Sequence, residues 1–78
     1  MKTHEALKRA REHAEYKQED VAKILYTSQA QLSLYETGKR QMKTDQITIL
    51  AKLYKVSTDY LLGLTDDPKG SWLQNRNR

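Results

Sequence analysis

The chain has 78 residues with a formal charge of +4 and a pI near 9.4; 31% of the residues are charged and 37% hydrophobic. A chain this short holds one domain with a thin core, which excludes a second domain, and the basic balance suits a polyanionic partner. Cysteine is absent, which excludes a disulfide framework, a thiolate metal site and a cysteine nucleophile, so the expected location is the cytoplasm.

Residues 1–4 lead into no apolar run and no window reaches membrane-spanning length, so neither a signal peptide nor a membrane span is expected. The spacing predicts a first helix over residues 3–14, with Thr3 as its cap and Glu5 in the first turn, where the helix dipole favours an acid. Leu7, Ala10, Arg11 and Ala14 share one face. Val21, Ala22 and Leu25 form the buried stripe of a second helix over residues 18–25, with Tyr16 packing ahead of it. Ser28 opens "SQAQ", a capping box in which the serine hydroxyl accepts the N–H of Gln31 and the Gln31 side chain reaches back to the N–H of Ser28. The third helix that follows ends at Thr37, with Gly38 free to turn left-handed.

Thr44 caps a fourth helix to residue 54, with Ile47, Leu50, Ala51 and Tyr54 inward. In "STDYLLG", Ser57 caps a fifth, Asp59 complements its dipole and Gly63 ends it. No segment alternates long enough to form a strand, so the fold class is all-α. Residues 1–64 form the domain, and residues 65–78, broken by Pro68 and Gly70, form a polar C-terminal tail. Trp72 and Leu73 are the apolar exceptions in that tail; they either dock on the domain or a partner subunit, or fray with the tail.

Only Tyr26, Thr27 and Ser28 separate the second and third helices, the arrangement of a helix-turn-helix whose second member enters the major groove of DNA. The segments "LKRAREHAEYKQEDVAKILYTSQAQLSLYETGKRQM" and "ITILAKLYKVSTDYLLG" resemble the phage-repressor and Cro-like helix-turn-helix family, often labelled XRE type, over residues 7–63. Gln18 opening the second helix, Ala22 in its middle, "YETGK" and the basic residues beyond it carry the likeness together. Ala22 has a physical reason, because two helices crossing closely leave space for little more than a methyl group. Four positions depart from the family pattern: Glu15 and Tyr26 stand for glycines, Lys17 for a serine or threonine cap, and Met42 for a common proline. A missing cap costs about 1 kcal/mol and a left-handed tyrosine about 1 to 2 kcal/mol. Tyr26 is therefore expected either to hold a positive φ under strain or to mark a displaced turn.

The resemblance implies a five-helix repressor-like domain. It also implies a sequence-specific regulator of transcription that binds double-stranded DNA, a repressor acting as a homodimer on a palindromic operator. With Leu32 and Tyr35 inward, a rotation of about 100° per residue turns Ala30 and Leu34 outward, flanked by Gln31 and Ser33, with Gln29 on the exposed first turn. Gln29 can make a bidentate contact with adenine N6 and N7, while Ala30 and Leu34 suit thymine methyls, so an A/T-rich half-site is expected. Lys39, Arg40 and Lys43 form a basic patch after Gly38, in the loop that runs along the backbone in this family. Lys17, Gln18, Tyr26 and Ser28 are the other phosphate candidates, and Gln18 resembles the family glutamine that braces the first reading glutamine. Arg11 and Glu36 resemble the family's structural ion pair. Dimer contacts are assigned to Tyr60, Leu61, Leu64 and Trp72, with some of these completing the core instead.

The alternative reading is a protein-interaction module on the same fold, an antitoxin-like partner binder using Leu34 and the tail. No enzyme is expected, and no cofactor, metal or small-molecule ligand. His4 and His13 are nine residues apart, which suits neither a metal pair nor a triad, and both read as solvent-facing.

Overall fold

α1 spans Thr3–His13, α2 Gln18–Ile24, α3 Gln29–Glu36, α4 Thr44–Tyr54 and α5 Thr58–Leu61. The structure is a computed structural model that describes residues 1–69, so Trp72 lies outside the described residues; no strand occurs among those described. None of these helices is long and apolar enough to cross a membrane.

Ser28 and Ser57 cap as expected, accepting the N–H of Gln31 at 3.1 Å and of Tyr60 at 3.0 Å. Thr3 and Thr44 do not: they are the first residues inside α1 and α4, and lysines hold the cap positions. A lysine side chain has no acceptor, so the third helical residue compensates. Glu5 accepts the Lys2 N–H at 2.9 Å and Gln46 the Lys43 N–H at 3.3 Å. The hydrogen bond from Lys2 holds the Glu5 carboxyl below its ordinary pKa. Lys17 leads α2 with no side-chain cap bond. The Ser28 capping box forms only by half, because Gln31 Nε2 turns along the helix to donate to the Tyr35 hydroxyl at 3.1 Å.

Each helix ends in a residue of positive φ: Glu15 at 64°, Tyr26 at 56°, Gly38 at 81°, Lys55 at 59° and Gly63 at 80°. At Tyr26 the closing bonds are those of a Schellman motif, with Tyr26 N–H donating to the Lys23 carbonyl at 3.1 Å and Thr27 N–H to that of Ala22 at 2.9 Å. The turn between α2 and α3 thus keeps its left-handed geometry without glycine. Gly63 has a second constraint, since a Cβ there would lie 2.5 Å from the Met1 carbonyl oxygen.

The core is built from Leu7, Val21, Leu32, Leu50 and Leu61, each fully buried, with Ala22 at 3% exposure between them. Met42, at a departure from the family pattern, is buried with them. Of the four residues assigned to dimer contacts with some expected to complete the core, Tyr60 and Leu61 are the core members, 3% and 0% exposed. α5 is a single turn closed between α1 and α4, so its apolar pair is consumed within the domain. His4 is corrected, being half-buried with its ring over Gly38, whereas His13 is exposed. Residues 65–69 fold back on the domain: the Ser57 N–H donates to the Pro68 carbonyl at 2.7 Å, and the Met1 ammonium pairs with Asp66 at 3.4 Å.

Candidate nucleic-acid interface

The site rests on a buried ion pair. Arg11, near the end of α1, donates through Nε to Glu36 Oε2 at 2.8 Å and through Nη2 to Glu36 Oε1 at 3.2 Å, with the two side chains 11% and 2% exposed. The third guanidinium nitrogen donates to the Tyr16 carbonyl at 2.8 Å, so one side chain ties the α1–α2 connection to the end of α3. The hydrogen-bonded carboxylate raises the Arg11 pKa against the opposing effect of burial. Tyr54 lies beside this pair, its ring 6.1 Å from that of Tyr16. Its buried hydroxyl has no hydrogen-bond partner among the described residues. Burial first, and the Glu36 charge second, push that hydroxyl's pKa up.

From the ion pair a chain of side chains runs outward. Gln18, the first residue of α2, donates from Nε2 to Glu36 Oε1 at 3.0 Å, and Gln29, the first of α3, donates from Nε2 to Gln18 Oε1 at 3.5 Å. The N-termini of the two helices are thereby held together, with their free N–H groups at one place on the surface. Gln29 and Ala30 are exposed, while Gln31, Ser33 and Leu34 are half-buried. Leu34 is thus less outward than rotation alone implies. Lys17, Tyr26 and Ser28 flank the paired N-termini, all exposed, and Tyr26 stands 97% clear of the protein. On the other flank, the Lys39 and Arg40 N–H groups donate to the Leu34 carbonyl at 3.0 and 3.2 Å, and the side chains of Lys39, Arg40 and Lys43 are exposed. Arg40 also borders a cleft of about 490 Å³ with His4, Gly38 and Met42.

Sequence reasoning missed two parts of this site. The Gln18–Glu36 bond carries no local signal, because the residues are far apart in sequence and meet only through packing. The Gln31–Tyr35 bond did carry one, its i,i+4 spacing on a helix. No group of His, Cys, Asp or Glu able to hold a metal ion occurs among the described residues.

Five helices in this order, with a short left-handed turn between the second and third and the exposed start of the third braced by the second, define a helix-turn-helix protein. The chain belongs to the helix-turn-helix family, whose pattern it matches over residues 7–61. It is similar to the HTH-type transcriptional regulator ImmR of Bacillus subtilis (strain 168), 47% identical over 57 residues, which are 73% of this chain and 45% of ImmR. It is also similar to YobD of the same organism, an uncharacterized HTH-type transcriptional regulator, 42% identical over 50 residues, or 64% of this chain and 45% of YobD. The match thus spans less than half the length of either relative.

Proposed function

We propose that the protein is a sequence-specific transcriptional regulator that binds double-stranded DNA in the cytoplasm. It acts as a repressor, laying α3 in the major groove of a palindromic operator. The observation that carries this reading is the chain from Glu36 through Gln18 to Gln29, which braces an exposed helix start between cationic flanks. Gln29, Ala30, Gln31, Ser33 and Leu34 meet the bases. Lys17, Gln18, Tyr26, Ser28, Lys39, Arg40 and Lys43 meet phosphates, fixing register and making affinity fall with salt.

A homodimer places two copies of α3 about 34 Å apart, one turn of the duplex. Leu62 and Leu64, 40% and 57% exposed, are the apolar residues at the end of α5 available for that contact. Bound across a promoter, such a dimer represses by occluding polymerase.

Selection from random-sequence duplexes, followed by gel shifts, tests the reading. It expects an enriched inverted repeat with A/T-rich half-sites, bound more weakly by Gln29→Ala. Absence of any enriched sequence at low salt would remove it.

A further inference from the structure

Three side chains in sequence set the chemistry that Gln29 offers to DNA. Glu36 Oε1 lies 3.2 Å from Arg11 Nη2 and 3.0 Å from Gln18 Nε2. A carboxylate paired with a guanidinium can only accept hydrogen bonds. The Gln18 amide therefore must face Glu36 with its NH₂ group, which turns its oxygen toward Gln29. That oxygen in turn draws the Gln29 NH₂ group, at 3.5 Å. One of the two Gln29 N–H bonds is thereby committed inside the protein, leaving one donor and one acceptor for the groove.

Adenine presents one acceptor, N7, beside one donor, the N6 amino group; guanine presents two acceptors, N7 and O6. The braced amide matches adenine and sets its oxygen against guanine O6. An unbraced amide can turn its NH₂ group to guanine and give it both hydrogens.

We propose that Glu36 is a positioning residue for base specificity, fixing through Gln18 which atoms of Gln29 meet the base. This rests on the DNA-reading function above and adds to it that a buried residue, out of reach of DNA, decides between adenine and guanine.

The test compares the wild-type protein with Gln18→Met and Glu36→Gln in random-duplex selection, with Gln29→Ala locating the base that Gln29 reads. Gln18→Met leaves the Arg11–Glu36 pair in place, so it reports even if Glu36→Gln fails to fold. At that base the wild type is expected to favour adenine over guanine by about tenfold or more, the discrimination of one bidentate contact. Both folded variants are expected to bring the ratio below about threefold. A Gln18→Met protein that binds all sites more weakly while keeping the adenine-to-guanine ratio would overturn the positioning role and leave the DNA-reading function standing. A wild type that enriches no sequence would overturn both.

Discussion

Replacing Tyr26 by glycine separates the fold's need at the turn from the function's. Tyr26 holds φ at 56° with its side chain 97% exposed, so substitution removes strain and forfeits almost no packing. Relief of the left-handed conformation is worth about 1 to 2 kcal/mol. Against it stands the larger conformational entropy that glycine brings to the unfolded chain, about 0.4 to 1 kcal/mol. The net expectation is a gain of roughly 0.5 to 1 kcal/mol, read as a rise in Tm of about 2 to 8 °C for a domain of this size. DNA binding should move the other way, because the substitution removes the proposed hydrogen bond from the phenol to a phosphate; a bond to a charged group is worth about 1.5 to 3 kcal/mol. Thermal melts and anisotropy titrations on a selected duplex measure the two effects, and Tyr26→Phe, which keeps the strain and drops the hydroxyl, should weaken binding without changing stability. A destabilised glycine variant would refute the strain reasoning. Undiminished binding by both variants would remove Tyr26 from the DNA contacts.

Arg11→Ala strands the Glu36 carboxylate, 2% exposed, and should cost about 3 to 5 kcal/mol in chemical denaturation; the double variant Arg11→Met with Glu36→Leu should recover much of that stability but not the preference for adenine over guanine. Tyr54→Phe removes a buried hydroxyl with no partner among the described residues and should stabilise the fold by about 1 kcal/mol, measured by urea melts. The same hydroxyl has a folded-state pKa raised above its ordinary 10.0, so the unfolded chain releases this proton first and the fold loses stability as pH rises past that value. Melts between pH 9 and 11 should therefore show a steeper alkaline loss for wild type than for Tyr54→Phe, the window being set by an ordinary tyrosine pKa of about 10. Leu64→Asp, at an exposed position, tests the proposed homodimer: sedimentation velocity on a selected duplex should show two wild-type chains per duplex and one of the variant.

Helix order was legible because apolar residues recur at helical spacing and because Ser28, Gly38, Ser57 and Gly63 punctuate the chain with cap chemistry. The positive φ at Glu15 and Tyr26 was legible only through family likeness, since neither residue type favours that conformation. Lys55, with the same conformation at the end of α4, had no such cue. The helix starts at Thr3 and Thr44 were misplaced by one residue because the Glu5 and Gln46 side chains can satisfy a cap that lacks an oxygen. Tyr60 and Leu61 show the limit of local pattern. A single helical turn carrying Tyr-Leu-Leu has apolar residues on more than one side, and only tertiary packing decides which are enclosed. At the site, helix rotation placed Gln29 on the exposed first turn and the family resemblance marked Gln18, Arg11 and Glu36, but the bond joining Gln18 to Glu36 depends on how α1, α2 and α3 meet.

The central claim is that the start of α3 is the surface that reads DNA. Amide chemical-shift mapping of the labelled protein against a selected duplex tests it most directly. The expected result is that the large shifts fall on residues 17–18, 26–34 and 39–43, with α4 and α5 little changed. Shifts concentrated on α4, α5 or residues 64–69, with the N-termini of α2 and α3 unmoved, would contradict it.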